Sequence, residues 1–217
     1  GNWGHNSKLY AGKDGPLKLY LKDFDNNNSV EHIMAYTINK KEYPFYAKDE
    51  LEIALPVLKK GYLRYSEVAG KTVQEIFDDL FKDYIELDAK VLGSSAFMNE
   101  GNGKYSPILL PWEAQITAYK TAAVCDINGD ALPDLLMMGN YFDNNVQMGR
   151  YDADYGTVLI NQGKGQFKVK PFNGLSIKGQ VRNMQPIKIA QQANQHFVLA
   201  MNSDSLRLIQ INTPGNK

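Results

Sequence analysis

The chain has 217 residues, of which 43% are hydrophobic, so it is long enough to bury one sizeable core or two small ones. Its 24 basic and 24 acidic residues cancel, which argues against nucleic acid or an anionic membrane surface as the partner. No run approaches the roughly 18 apolar residues of a membrane-spanning helix. The first residues, "GNWGHN", do not have the basic-then-apolar pattern of a signal segment, and this abrupt opening is typical of a fragment.

The cysteine and histidine content excludes several common kinds of site. Cys125 is the one cysteine, so neither a disulfide framework nor a cysteine-ligated zinc site is expected. It lies in the apolar run "AAVC", which predicts a small buried side chain and not a reactive thiol. His5, His32 and His196 share no motif, so we expect surface or edge positions for them and no histidine-based site.

The first strands flank an acidic loop. Strand "LKLYLK" leads into "DFDNNNSVE" (residues 23–31), and strand "HIMAYTI" leaves it. Residues 47–89 then favour helix, with a capping box formed by Thr72 and Glu75. We expect this segment to be a helical insertion on the surface with one apolar face packed on the strands. The side chains expected to be buried there are Val73, Ile76, Phe77 and Leu80, and those expected to be exposed are Lys71, Gln74 and Asp78.

The same order recurs after the insertion. Strands "VLGSSAFMN" and "KYSPILL" meet at the glycine turn "NEGNGKY", and "TAAVC" enters a second acidic loop, "DINGDALPD" (residues 126–134). Strands "LLMMGNYF" and "YGTVLIN" follow, and the turn "NQGKGQF" leads into "QFKVKPF". The end of the chain adds "PIKIA", "HFVLAMN" and "LRLIQI". With the insertion removed, both the loops and the turns repeat at roughly 60 residues.

Four short antiparallel strands per repeat are typical of a β-propeller blade. We therefore predict an all-β fold: an incomplete β-propeller of two full four-stranded blades plus partial blades, with an α-helical insertion. Within this single propeller fragment (1–217), the predicted parts are the tail of a preceding blade (1–16), a blade carrying the insertion 47–89 (17–110), a second blade (111–178) and a partial third blade (179–217).

So few blades cannot close a ring, because propellers typically need four or more. We therefore expect a piece of a larger propeller, or open edges that pair with another copy. The edges expected to self-associate lie near Trp3 to Tyr10 and near Leu206 to Ile211.

Oxygen-bearing side chains occupy positions 1, 3, 5 and 9 of both acidic loops, an arrangement in which they can converge on a calcium ion. Magnesium suits such a loop less, because it demands a stricter octahedron. The alternative is that Asp and Asn only form side-chain-to-backbone turns. The predicted ligands of the second loop are Asp126, Asn128, Asp130, Asp134 and the Leu132 carbonyl. Those of the first loop are Asp23, Asp25, Asn27, Glu31 and the Ser29 carbonyl.

The pairing of "DINGDALPDLLMMGN" with "GTVLINQGKGQF" resembles the FG-GAP/VCBS-type repeat of integrin-like propellers. "PLKLYLKDFDNN", "YPFYAKDEL" and "GRYDADYG" are similar to the C-terminal region of large VCBS-repeat proteins of Bacteroidetes-type bacteria, a family of unknown function. The first loop departs from the pattern, because Asn28 stands where a glycine would be easier and Glu31 replaces the usual Asp. The resemblance implies structural calcium (Ca2+) in both loops and an extracytoplasmic location, whether secreted, periplasmic or on the cell surface.

The stretch "GRYDADYG" offers a candidate ligand-binding patch made of Arg150, Tyr151, Asp152, Asp154 and Tyr155. We favour the alternative that an internal Arg–Asp pair only fixes this loop. "GNGKYS" lacks the Ser or Thr that a phosphate loop places directly after Gly-Lys, and no Gly-x-Ser-x-Gly elbow is present. The sequence favours a non-catalytic, calcium-stabilised module that binds a protein or glycan, as in adhesion. The alternative is part of a propeller enzyme acting on polysaccharide, with an active site spanning blades.

Overall fold

The computed structural model describes residues 2–9, 11, 15–146, 148–171, 174, 176–189 and 195–212. In this part of the chain, antiparallel strands dominate and the helices are short. The strands are β1 (Leu17–Lys22), β2 (Glu31–Ile38), β3 (Lys41–Pro44), β4 (Ile85–Ala89), β5 (Ser95–Gly101), β6 (Lys104–Leu109), β7 (Tyr119–Cys125), β8 (Asp134–Gly139), β9 (Thr157–Asn161), β10 (Phe167–Lys170), β11 (Val181–Ile187), β12 (Gln195–Met201) and β13 (Arg207–Ile211).

The α-helices are α1 (Lys48–Ala54), α2 (Leu58–Gly61) and α3 (Val73–Phe77), and 3₁₀ turns span Tyr65–Glu67, Asp78–Leu80 and Trp112–Gln115. None of the helices in the described residues is long and apolar enough to cross a membrane. The chain divides into two compact units. We call Leu9–Leu92 the helical unit, and Gly1–Lys8 together with Gly93–Lys217 the sheet unit.

The helical unit is a four-stranded antiparallel sheet, in the order β3-β2-β1-β4, whose core is shared with the helices. Six of the ten buried residues in that core come from the helical segment: Leu51, Leu55, Leu58, Val73, Ile76 and Phe77. The apolar face of the segment packs on the strands, as expected, but the segment is not a surface appendage, because it supplies most of the core that covers this sheet. The predicted burial of the α3 stripe is confirmed, except that Leu80 is only half-buried, and Lys71 is half-buried as well.

Two further expectations for this region were wrong. Ile85–Ala89 is a strand paired with β1, not part of the helical insertion, and its "IELDA" alternates apolar and acidic residues with the period of a strand. Asn39 and Lys40 both have positive φ and close a two-residue hairpin that leads straight into β3. The strands predicted to complete this sheet, β5 and β6, instead pair with each other in a two-stranded sheet of the sheet unit.

The sheet unit is organised around a four-stranded antiparallel sheet whose strands β7 to β10 pair in chain order, as predicted. One face of this sheet shares a buried cluster with the three-stranded sheet β11-β12-β13. The other face contributes Tyr119, Met137 and Leu159 to a second cluster with Leu110 and Ala114. Because both faces are covered, β8 reads as the continuous apolar run "LLMMG" instead of alternating.

The β-rich class is confirmed, whereas the described residues form no closed barrel or propeller, so the propeller architecture remains a prediction. Strand β13 lies at the edge of its sheet and exposes Leu208. Residues 3–9 form no strand, and Tyr10 lies outside the described residues. Cys125 is buried, as expected. His196 is buried in β12, contrary to expectation, because β12 is the central strand of its sheet and pairs with a strand on each side.

Candidate metal-binding loops and ligand cleft

The two acidic loops share most of their local hydrogen bonds. In each, the first aspartate accepts a hydrogen bond from the N–H five residues on: Asn28 to Asp23 at 2.8 Å, and Ala131 to Asp126 at 2.9 Å. The fifth side chain accepts from the N–H two residues on, Ser29 to Asn27 at 2.7 Å and Leu132 to Asp130 at 2.8 Å. The loops differ in one detail: the other oxygen of the first aspartate accepts the N–H of position 5 in the first loop (Asn27) and of position 4 in the second (Gly129).

The last carboxylate of each loop belongs to the first residue of the following strand and accepts a hydrogen bond from the loop backbone. Glu31 accepts from the N–H of Phe24 at 2.9 Å, and Asp134 accepts from the N–H of Ile127 at 2.9 Å. Both donors belong to the second residue of their loop, whose apolar side chain is buried in the unit's core. Glu31 therefore accepts the hydrogen bond that the aspartate accepts in the second loop, although its side chain is longer.

Positions 4 and 6 of both loops lie in the left-handed region. Asn26 and Asn28 have φ of 58° and 68°, and Gly129 and Ala131 have φ of 85° and 65°. Asparagine tolerates this conformation well, so Asn28 is a workable replacement for glycine. Alanine does not, and Ala131 therefore carries backbone strain.

The first loop brings three acidic side chains together. Oxygens of Asp23, Asp25 and Glu31 lie within 4.8 Å of one another, the separation expected for ligands on one calcium ion with bonds of about 2.3–2.6 Å. Oδ1 of Asp25 is buried and accepts no hydrogen bond from any described residue. A buried carboxylate oxygen without a partner is costly unless a cation or donor satisfies it. The donor set of the first loop therefore fits calcium.

The second loop holds its oxygens through hydrogen bonds. The N–H of Ala131, above all, lowers the pKa of the Asp126 carboxyl, and the N–H of Gly129 adds to this effect. The Asn128 amide donates to Asp130 at 2.8 Å, and the described residues do not gather three carboxylates here as they do in the first loop. In this arrangement the amide nitrogen of Asn128, and not its oxygen, faces the Asp130 carboxylate. The Asn128 side chain therefore has to rotate before its oxygen and Asp130 can ligate one ion.

Asp134 is the best anchored residue of the second loop. It is fully buried, and its second oxygen accepts the N–H of Asn161 at 2.8 Å, which ties the loop to the end of β9. The Asn161 side chain donates in turn to the carbonyl of Pro133 at 3.1 Å. The sequence did not predict a role for Asn161 in this loop, although Asn161 is the first residue of the predicted glycine turn "NQGKGQF".

The five residues of the predicted ligand patch divide by burial. Tyr151 and Asp154 are buried: Tyr151 packs its ring edge against Trp3, and Asp154 accepts the backbone N–H of Gly156 and of Gly139. Burial raises the pKa of Asp154, and these N–H donors oppose the rise. Arg150, Asp152 and Tyr155 are exposed. Only these three are placed to meet a ligand.

The expected ion pair within this loop does not form among the described residues. The guanidinium of Arg150 lies 4.0 Å from the centre of the Phe142 ring, and no salt bridge joins it to Asp152 or Asp154. Arg150, Asp152 and Tyr155 line a cleft of about 380 Å³ in the sheet unit. The cleft residues that sequence analysis missed come from other segments and include Phe142, Lys178, Asp204 and Arg207.

Comparison of the chain with protein-family models, curated proteins and solved structures found no match.

Proposed function

We propose that this chain is a non-catalytic, calcium-stabilised, extracytoplasmic module of the propeller-repeat type that binds a protein or a glycan. The observation that carries the proposal is the pair of acidic loops. They lie in different units and have different sequences, yet they share three side-chain-to-backbone hydrogen bonds and one pattern of left-handed residues. A shared scheme of this kind favours a common ligand over two unrelated turns.

Calcium is the ion that suits the oxygens on offer. The first loop supplies three carboxylates, the Asn27 amide and the Ser29 carbonyl, which meets the preference of calcium for six to eight oxygens once water completes the shell. The N–H donors to Asp23 and Glu31 orient their carboxylates and leave lone pairs free. Calcium here would neutralise three crowded charges and fix the turn, which is a structural role.

The packing of the sheet unit supports the repeat interpretation. Its central sheet, β7 to β10, shares one buried cluster with the sheet that follows it in the chain and another with residues that precede it. Propeller blades stack face to face in chain order in this way.

In this account the edge strand β13, with Leu208 exposed, is a place at which copies of the chain associate. A purely monomeric sedimentation profile over a wide concentration range would exclude that contact.

Calcium stabilisation is tested by unfolding the chain in calcium and in chelator. Binding to the folded state alone should raise the free energy of unfolding by about 2.7 kcal/mol when calcium is a hundredfold above its dissociation constant. Asp25→Ala should remove the gain from the first loop and Asp130→Ala that from the second. Asp79→Ala, which changes a carboxylate that is 86% exposed, is the matched control and should keep both gains. Equal stability in calcium and chelator would exclude the metal.

The binding role is tested on a glycan and peptide array, followed by incubation with each polysaccharide that is retained. The proposal predicts retention without turnover. Release of reducing sugar would favour the alternative, an enzyme that acts on polysaccharide.

A further inference from the structure

The cleft beside Arg150 continues into a neighbouring depression. The two have volumes of about 380 and 490 Å³ and share Phe142, Arg150, Gly179 and Asp204 on their walls. Each falls in the roughly 300–1,000 Å³ range of small-ligand sites. The stack of Arg150 on Phe142 therefore stands at the middle of a continuous trough, within the sheet unit alone.

Most of the charges around this trough are already neutralised. Asp204 pairs with Arg207 at 2.7 Å, and Asp143 lies 3.7 Å from Arg182. Asp154 also lines the cleft, but it is buried and its carboxylate accepts the backbone N–H groups of Gly139 and Gly156.

Two cations remain. Arg150 and Lys178 are exposed on the trough wall, and neither forms an ion pair with any described residue. Asp152 is the one exposed acid on the wall that likewise has no ion-pair partner among the described residues. Among the exposed side chains on the wall that form no ion pair with described residues, two cations therefore stand against one carboxylate.

The position of Arg150 suits it to hold an anion. Because its guanidinium lies 4.0 Å from the Phe142 ring centre, the stack fixes the side chain and leaves the edge N–H groups to donate. That edge is a fork that matches a carboxylate or sulfate with two parallel hydrogen bonds. Lys178 adds a mobile charge that can follow the same anion.

We propose that the trough binds an acidic saccharide, whose carboxylate or sulfate is held by Arg150 and Lys178. This rests on the binding function proposed above and names its ligand class. Hydroxyl groups of the sugar donate to Asp152, whereas the ionised side chains of an acidic peptide such as poly-glutamate carry no donor. Tyr155, 48% exposed, offers a ring face to the sugar C–H groups and a phenol to its hydroxyls.

The test is electrophoresis of the whole chain through native gels containing hyaluronate, polygalacturonate, dextran sulfate, neutral dextran or poly-glutamate. We expect retardation by at least one acidic polysaccharide, and the hyaluronate and dextran sulfate gels distinguish a carboxylate from a sulfate requirement. Arg150→Gln and Lys178→Gln should each raise the apparent dissociation constant roughly tenfold or more. Lys168→Gln, which changes an exposed lysine of β10 outside the trough, is the control and should leave it unchanged.

Three results would overturn the proposal. These are no retardation by any acidic polysaccharide, retardation by poly-glutamate alone, or equal retardation of the Arg150→Gln variant. Retardation by neutral dextran as strong as by the acidic polymers would keep the glycan-binding function and refute the preference for an anion. Calcium stabilisation is measured separately by unfolding in calcium and in chelator. A negative result in the gels would therefore refute saccharide binding at the trough without refuting calcium binding by the acidic loops.

Discussion

Replacing Asp134 with alanine removes the residue that ties the second acidic loop to β9. The carboxylate is fully buried and accepts the N–H of Ile127 at 2.9 Å and that of Asn161 at 2.8 Å. The first of these donors is buried and the second partly so. Leaving such a donor without an acceptor costs about 1–3 kcal/mol, so the two together should lower the free energy of unfolding by about 2–4 kcal/mol.

The assay is urea unfolding in chelator, followed by far-ultraviolet circular dichroism, so that any contribution of calcium is absent. The midpoint should fall while the slope stays the same, because a similar surface is exposed on unfolding. Asp152→Ala is the control: this exposed aspartate forms no ion pair with the described residues, and its loss should change stability by less than about 0.5 kcal/mol. A loss below about 1 kcal/mol for Asp134→Ala would refute the assigned hydrogen bonds.

Two further predictions concern the same region. Ala131→Gly should raise stability in chelator by roughly 0.5–1 kcal/mol, because the relief of a left-handed alanine exceeds the added flexibility of the unfolded chain. Gly129→Ala should lower it, and a stabilised Gly129→Ala variant would contradict the backbone assignment. Burial, and then the charges of Asp134 and Asp126, raise the pKa of the Cys125 thiol to about 11. At pH 8 roughly one thiol in a thousand is therefore ionised, and iodoacetamide should modify Cys125 in the native protein only as it unfolds. Rapid modification in native buffer would exclude this burial.

Local patterns predicted the elements that depend on neighbouring residues. The capping box of Thr72 and Glu75 places the start of α3, and the alternation of acidic positions identified both loops before their hydrogen bonds were known. The apolar run of β8 and the glycine turn between β9 and β10 gave the strand order of the central sheet. In each case the signal lies within about ten residues of the structure it specifies.

The errors came from contacts between distant segments. Repeat spacing assigned β5 and β6 to the first sheet, but the Asn39–Lys40 turn brings in β3 instead, and β4 pairs with β1 across the helical segment. Periodicity describes one face of one element, so it could not show that α1 to α3 complete a core with β1 and β2. The trough was missed for the same reason: Phe142, Lys178 and Arg207 are far apart in the chain.

The number of calcium ions bound per folded chain tests the central claim most directly. Native mass spectrometry after dialysis against calcium should give two ions for the wild-type chain, and one for each of the variants Asp25→Ala and Asp130→Ala. Asp79→Ala, which changes an exposed carboxylate paired with Lys82 and outside both loop sequences, should keep two. No bound calcium in the folded wild-type chain, or two ions retained in both loop variants, would contradict the account.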